Sequence, residues 1–251
     1  AAGAAGTHRA DNWEALEHVL RLTHVADGAE AANEEFVEGH EGFYDTLTID
    51  GRVAHDFVSH YYPNVLEAMR TRWISPQIVA TNRMGEAGYH ELFEMGRRVI
   101  EALGITTAPT HMEWFFGPKG LRFSEIGARP PGVGQWDVYC AANEFDLYRE
   151  WALAVTQGRT ESRPSRRYAC GMIALRPDRD GRISGYDGAD EIFRRHGEWI
   201  VASSFPQPGT PTQPVEAGYM ANAWMRMRHP DYDRLREMLN IVGETIKLRA
   251  Q

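Results

Sequence analysis

The amino-acid sequence predicts an α+β fold, in which helices flank an antiparallel sheet and a smaller α+β lobe follows at the C-terminal end. Segments of strand character alternate with helical apolar stripes, and short turns join several neighbouring strands. The chain has 251 residues, enough to bury a large core in one domain or two lobes. A Gly-, Arg-, Ser- and Pro-rich stretch at 156–165 indicates a boundary, and we therefore divide the chain into residues 1–158 and 159–251.

Four helices are expected from apolar residues that recur at helical spacing. Asp11 or Asn12 caps the first, and Gly104 and Gly158 end the second and third. The stripes, such as Trp13 and its neighbours one and two turns later, are expected to face the core. The four segments are residues 11–28, 85–103, 143–156 and those that follow Pro230.

Strands are expected between these helices. Asp50-Gly51 is typical of a two-residue hairpin turn, and Pro76 would restrict its segment to a sheet edge or a bulge. The predicted strands are residues 34–38, 43–49, 53–62, 73–80, 168–175, 182–185, 199–203 and 217–225.

Composition excludes several classes of protein. A formal net charge of −8 argues against a nucleic-acid partner, which requires clustered positive charge. No apolar run approaches the roughly 18 residues of a membrane span. Cys140 and Cys170 lack metal-ligand spacing and indicate reduced thiols, so we expect a cytoplasmic protein without a membrane partner. The oligomeric state stays open, a homodimer included.

Two acidic segments, residues 111–116 and 121–126, are separated by Gly117-Pro118-Lys119-Gly120 and lead into Gly127-Ala128-Arg129-Pro130. This order sets Glu113 and Glu125 on neighbouring strands and an arginine on a stiff loop. An enzyme that holds magnesium against nucleotide phosphates needs such oxygen donors. It also needs a fixed cation beside the transferring phosphoryl group.

The length of the hairpin loop decides whether the two glutamates meet. With a loop of residues 117–120, Glu113 lies opposite Ser124, and Glu125 points to the other face because side chains alternate along a strand. A loop one residue longer, or a β-bulge, places Glu113 across from Glu125. The metal hypothesis therefore requires one of these two features, and the alternative is that both glutamates are solvated strand residues.

The acidic motifs, taken in order, resemble those of the ATP-grasp ligases. The resemblance is closest to the carboxylate–amine ligase branch, covers about residues 1–154, and extends more loosely to residues 168–249. It implies an ATP-grasp-type antiparallel sheet. The motifs that carry it are Glu34 to Glu41, Asp45, Asp50-Gly51, His111-Met112-Glu113 and Gly120 to Gly132.

The resemblance implies roles for individual residues. Glu35 and Val37 would contact adenine through their backbone groups, and Glu41 would bind the ribose hydroxyls. Glu113 and Glu125 would hold Mg²⁺ or Mn²⁺ between the β- and γ-phosphates of ATP. Arg129 would stabilise the charge on an acyl-phosphate and on the tetrahedral intermediate, and Pro130 favours an extended conformation for it.

The chain departs from the family pattern at two places. Gly127 stands where many relatives have an asparagine metal ligand, which puts the second magnesium site in question. Lys119 and Lys247 are the two lysines, and neither is placed to bind a phosphate. Residues 1–7 resemble the family's glycine-rich loop without the lysine strand before it, so we expect this sequence to be the C-terminal part of a longer enzyme.

The sequence therefore predicts an ATP-dependent ligase that joins a small-molecule carboxylate to an amine through an acyl-phosphate, with amino-acid-like substrates. A nucleotide-binding module without catalysis, or a fragment that is inactive on its own, is the alternative. A metal-dependent phosphohydrolase that uses the same carboxylates is a third possibility. The side chains Arg70, Arg72 and Arg83 are candidates for binding a substrate carboxylate.

Overall fold

A computed structural model describes residues 6–251, and its main feature is an eight-stranded antiparallel sheet. The strands of the described residues are β1 (His40–Ile49), β2 (Arg52–Tyr62), β3 (Gln77–Ala80), β4 (Ala108–Gly117), β5 (Gly120–Gly127), β6 (Ala169–Leu175), β7 (Ile183–Asp187), β8 (Ile200–Ser204), β9 (Ala223–His229) and β10 (Lys247–Ala250). The order across the large sheet is β5-β4-β1-β2-β3-β6-β9-β8, and β7 pairs with β10 separately. The expected α+β class is thus confirmed.

Helices cover both faces of this sheet. The helices of the described residues are α1 (Trp13–Leu22), α2 (Val65–Ala68), α3 (His90–Ala102), α4 (Gln135–Asn143), α5 (Leu147–Gln157), α6 (Ala189–His196) and α7 (Tyr232–Thr245). The face that carries Phe43, Phe57 and Met172, called the front face below, packs against α2, α4 and α5. The back face packs against α3 over β1 and β4, and against α6 and α7 over β6 and β9.

The β1–β2 hairpin forms as the sequence predicts. Asp50 (φ 49°) and Gly51 (φ 75°) are both left-handed, as a two-residue turn of this twist requires. Eight consecutive residues of β1 are buried, because helices cover the strand on one side and the front-face core covers it on the other. This hairpin forms the centre of the sheet and supports the acidic strand β4 beside it.

The first and last predicted helices begin at the expected residues. The Asn12 side chain accepts a hydrogen bond from the Ala15 amide (2.8 Å), and the Asp231 carboxylate caps α7 in the same way. The buried stripe of α7 is confirmed. For α1 the expectation of a core-facing stripe is wrong, because none of its residues is buried and Trp13 is 72% exposed.

Several sequence expectations are wrong in position or type. Residues 34–38 form no strand, because no neighbouring strand pairs with them. The predicted strand 73–80 is reduced to β3, which begins directly after Pro76, and the strand predicted at 217–225 begins only at Ala223. Glu144 adopts a left-handed conformation (φ 55°), which ends α4 and separates it from α5 within the predicted helix 143–156. The sequence analysis missed α2, most of α4, α6 and β10.

The large sheet continues across residue 158. Strand β3 of the first segment pairs with β6 of the second, and β6 pairs in turn with β9. All seven residues of β6 are buried. Among residues 6–251, no helix combines the length and the apolar character needed to cross a membrane.

Candidate active site

The β4–β5 hairpin contains the β-bulge that the metal hypothesis requires. Phe116 pairs with Leu121 as expected, and Pro118 and Lys119 form the turn. The register then shifts: Trp114 pairs with Phe123, whereas Met112 pairs with Ile126. Two residues of β5, Ser124 and Glu125, therefore lie opposite Glu113 alone. Because Glu125 precedes Ile126, which packs on the back face, its side chain is directed to the front face.

Glu113 lies on the front face beside β1, where it is paired with Phe43. Its side chain is 20% exposed, so one carboxylate is accessible in a mostly covered position. The Tyr61 hydroxyl donates a hydrogen bond to Glu113 Oε1 (3.3 Å), and His111 Nε2 lies 3.5 Å from the same oxygen. Two neighbouring groups thus hold Glu113 in place on one side.

A row of buried polar side chains continues from Glu113 into the sheet. His111 Nδ1 lies 2.7 Å from Asp45 Oδ1, and the Tyr139 hydroxyl of α4 donates to Asp45 Oδ2. Burial alone would lower the pKa of His111, but the charges and hydrogen bonds of Asp45 and Glu113 outweigh it and raise the pKa to about 10. His111 is therefore a cation between two carboxylates.

Glu41 lies at the start of β1 and is 5% exposed. Its Oε2 accepts a hydrogen bond from the Val65 amide (2.7 Å), and its own amide donates to Asn64 Oδ1 (3.1 Å). Burial raises the pKa of Glu41 to about 7, the Val65 amide opposes this rise, and the charge of Glu113 adds to it. Glu41 and Glu113 therefore belong to one electrostatic cluster.

Glu35 and Val37 lie in a segment without regular secondary structure, next to the hairpin turn. Lys119, at that turn, forms an ion pair with the exposed Glu35 side chain and lowers its pKa. Within residues 6–251, the main-chain N–H and C=O groups of Glu35 and Val37 make no hydrogen bond. A Cβ atom at Gly39 would lie 2.5 Å from the carbonyl oxygen of Phe116, so the segment approaches the hairpin at a point where only glycine fits.

Arg129 is exposed and lies two residues after the end of β5. Its Nη1 donates to the carbonyl of Pro130 (2.9 Å), and its side chain lies over Gly127. A Cβ at Gly127 would be 3.3 Å from Arg129 Cγ, so the missing side chain at 127 leaves room for this orientation. No charged partner binds the Arg129 guanidinium within the described residues.

The carboxylates of the front face do not form a protein-only metal cage. Within residues 6–251, no group of three or more His, Cys, Asp or Glu residues could hold a metal ion. Magnesium usually binds one or two carboxylates and takes its remaining ligands from water and substrate phosphates. Glu113 and Glu125 supply two such donors, so the residues present fit a metal that is held together with a nucleotide.

The arginines that the sequence analysis considered for a substrate carboxylate are already engaged. Arg70 donates to the carbonyl of Thr7 (2.7 Å), Arg72 to Asp180 (2.6 Å) and Arg83 to Asp233 (2.6 Å).

Sequence reasoning missed Tyr61, Tyr139 and Tyr219 near the site. Tyr61 could have been found from strand alternation, because it shares the front face of β2 with Phe57. Tyr139 and Tyr219 come from elements whose packing the sequence does not reveal.

Comparison with known proteins identifies relatives by sequence and by fold. No protein-family model matches the chain. Of curated proteins, the formate-dependent phosphoribosylglycinamide formyltransferase of Chlorobium phaeobacteroides is 27% identical, over 56% of this chain and 39% of the relative. The chain therefore spans about two fifths of the length of that curated relative.

Solved structures cover much more of the chain. The L-amino acid ligase from Bacillus licheniformis superposes with a TM-score of 0.77 and 16% identity, over 97% of this chain and 62% of that one. The phosphoribosylglycinamide synthetase from Anaerococcus prevotii gives a TM-score of 0.63 and 12% identity, over 86% of this chain and 55% of that one. At these identities the likeness shows a shared fold.

Proposed function

The chain has the fold of the ATP-grasp carboxylate–amine ligases, and on this premise we propose that it carries the ATP-binding and catalytic surface of such an enzyme. The single observation that supports this most strongly is the β4–β5 bulge, which directs Glu113 and Glu125 to the same face of the sheet. A solvated pair of strand residues would need no such feature. The substrates that we propose are a small-molecule carboxylate and an amine, with amino-acid-like compounds first among them.

Glu113 and Glu125 would hold a divalent cation, Mg²⁺ or Mn²⁺, against the β- and γ-phosphates of ATP. When bound, that cation would neutralise the charge that develops on the transferring phosphoryl group. Tyr61 and His111 would keep the Glu113 carboxylate oriented by their contacts with one of its oxygens, which leaves the other free for the metal.

The nucleotide would lie between β1 and the segment that carries Glu35 and Val37. The free main-chain groups of Glu35 and Val37 are suited to hydrogen bonds with an adenine edge. Glu41 would accept hydrogen bonds from ribose hydroxyls with the oxygen that the Val65 amide leaves available. The Glu35 side chain, bound to Lys119, would hold the segment against the hairpin without touching the base.

The reaction would proceed in two steps. The substrate carboxylate attacks the γ-phosphorus, the bond to the β-phosphate oxygen breaks, and ADP leaves. The amine then attacks the acyl carbon, loses a proton, and expels inorganic phosphate to form the amide. Arg129, which has no charged partner among the described residues, would stabilise the oxyanion of each step.

A non-catalytic nucleotide-binding module is the second candidate. Gly127, in place of a family metal ligand, favours it for this chain by itself, as does the lack of a lysine near the front face. A phosphohydrolase would release ADP without an acceptor. Acceptor-dependent release of phosphate distinguishes a ligase from both, and an L-amino-acid screen on the full-length protein would detect it.

The variant Glu125→Gln tests the metal role directly. Glu125 is exposed, so the substitution should leave folding unchanged while it removes one metal-binding charge. We expect Mg²⁺-dependent ADP formation to fall at least ~100-fold, because even outer-shell changes cost 10–100-fold. Glu101→Gln, an exposed change on α3, is the matched control and should keep full activity. Wild-type turnover by the Glu125→Gln protein would refute the assignment.

A further inference from the structure

Two buried polar groups beside α2 have no hydrogen-bond partner among the described residues. The Tyr219 hydroxyl and the Arg176 Nη2 atom are both shielded from solvent, and within residues 6–251 neither bonds to another group. Burying a donor without an acceptor is unfavourable, and native proteins keep few such groups. The guanidinium nitrogen can only donate and the tyrosine hydroxyl can donate, so an acceptor between them would satisfy both.

Arg176 is fixed by its other nitrogen. It follows β6 directly, and its Nη1 donates to the carbonyls of Ala68, at the end of α2, and Thr71 (2.7 Å). The start of the same helix donates to Glu41 through Val65. Arg176 therefore lies at the opposite end of a one-turn helix from the proposed ribose ligand, with its buried Nη2 atom unused.

Tyr219 lies on the same side of the site. It is 8% exposed and belongs to the front-face core together with Val65 and Ala68. Its ring centroid is 6.4 Å from that of Tyr61, whose hydroxyl donates to Glu113. One aromatic ring thus separates Tyr219 from the proposed metal ligand.

Electrostatics agree with this placement. Burial raises the pKa of Tyr219, as do the charges of Glu41 and Glu113, while Arg176 lowers it. Tyr219 is therefore a neutral donor at physiological pH. Glu41 and Glu113 act on Tyr219 through their charges, but within residues 6–251 neither accepts a hydrogen bond from its hydroxyl or from Arg176 Nη2.

We propose that Arg176 Nη2 and the Tyr219 hydroxyl form a subsite for a negatively charged oxygen group beside Glu113. The inference rests on the proposed ligase function, which offers two such groups: the carboxylate of the acid substrate and the γ-phosphate of ATP. Arg176 supplies the charge, and Tyr219 supplies a directed hydrogen bond.

Two conservative variants test the subsite. Tyr219→Phe removes one hydroxyl that has no partner, so its thermal midpoint should equal or exceed that of the wild type. Arg176→Lys keeps the charge but loses the second arm of the guanidinium. Tyr186→Phe is the matched control, because its hydroxyl donates to the Pro206 carbonyl (2.7 Å) in the C-terminal segment. It should leave ligand affinity unchanged.

The measurements are dissociation constants for Mg·ATP and Mg·ADP on the full-length protein, and KM for the carboxylate substrate that the amino-acid screen identifies. If the subsite holds the γ-phosphate, both variants should weaken Mg·ATP about tenfold and leave Mg·ADP unchanged. If it holds the substrate carboxylate, both nucleotides should bind normally and KM should rise about tenfold.

The outcomes separate this inference from the function on which it rests. Unchanged nucleotide affinity and unchanged KM in both variants, in a protein whose wild type binds Mg·ATP, would overturn the subsite alone. A wild type that does not bind Mg·ATP would overturn the proposed function and the subsite together. A lower thermal midpoint for Tyr219→Phe would also count against the subsite, since it would show a structural partner for the hydroxyl.

Discussion

At the scale of single residues, the front face depends on a row of alternating charges. Asp45, His111 and Glu113 follow one another with contacts of 2.7 and 3.5 Å, and Tyr139 closes the row at the Asp45 end. A buried ion pair of this kind contributes little net stability, but the loss of one partner leaves the other charge without compensation. The row therefore holds Glu113 in position while it makes the site sensitive to substitution.

Asp45→Asn tests this arrangement. Asp45 is 2% exposed, and its loss would leave the His111 cation beside a neutral amide in a buried place. We expect the free energy of unfolding to fall by about 3–5 kcal/mol, measured by urea denaturation. Asp50→Asn is the control, because this exposed residue occupies a left-handed turn position that Asn also adopts readily. Equal stability of the two variants would contradict the role that we assign to Asp45.

At the scale of elements, α5 secures the segment that joins β6 to the rest of the chain. The Glu150 side chain is 1% exposed and accepts hydrogen bonds from the amides of Glu161 (2.7 Å) and Ser162 (3.2 Å). Its Oε2 also lies 3.7 Å from His55 Nε2. Burial would raise the pKa of Glu150, but the two amides outweigh burial and lower the pKa below 4.5.

This pKa shift predicts acid sensitivity of a definite sign. A carboxyl whose pKa is lower in the folded state stabilises the protein above its unfolded pKa, and this stabilisation is lost as the pH falls through the folded pKa. Glu150→Gln should reduce the free energy of unfolding by roughly 2–3 kcal/mol at pH 7, and the difference from wild type should shrink below about pH 4.5. Urea denaturation across this pH range measures it. Glu94→Gln, exposed on α3, should match the wild type throughout; a gap that persists at low pH would contradict the assignment.

Elements with a clear period could be predicted from the sequence, and those without one could not. The β1–β2 hairpin and α7 follow from alternation, from the helical stripe and from Asp50-Gly51. Helix α4 was missed because most of its residues are buried, including Gln135 and Asn143, and an all-round buried helix has no polar face to reveal its period. The strand predicted at residues 34–38 is wrong for a different reason. Its sequence pattern is typical of a strand, but no strand lies beside it to form hydrogen bonds.

The candidate site was predictable in its residue types and only partly in its geometry. The motifs singled out Glu113 and Glu125, and the alternation rule stated what the hairpin had to contain for them to meet. Arg176 follows β6, and Tyr219 lies in the turn before β9. Their packing against α2 depends on segments that are far apart in sequence, which the sequence alone does not bring together.

At the scale of the whole molecule, the sheet makes residues 6–158 and 159–251 depend on each other. Strand β3 would become a bare edge without β6, whose seven buried residues would lose their cover as well. We expect a protein truncated after Gly158 to aggregate or to lack a cooperative transition. The 251-residue chain should unfold in one step by circular dichroism and by fluorescence. Cooperative folding of the truncated protein would support two independent lobes.

The bulge of β5 also has a consequence for how this hairpin tolerates changes in length. Trp114 pairs with Phe123 and Met112 pairs with Ile126, so the second strand carries one residue more than the first between these two rungs. Removing Ser124 would leave one residue on each strand between these two pairs, and Glu125 would still lie across from Glu113. The extra twist that the bulge gives the strand would be lost. Removing a residue between Glu125 and the turn is therefore tolerable in principle. Adding a residue between the turn and Glu125 would require a second β-bulge. Without it, the Glu125 side chain would point to the face opposite Glu113.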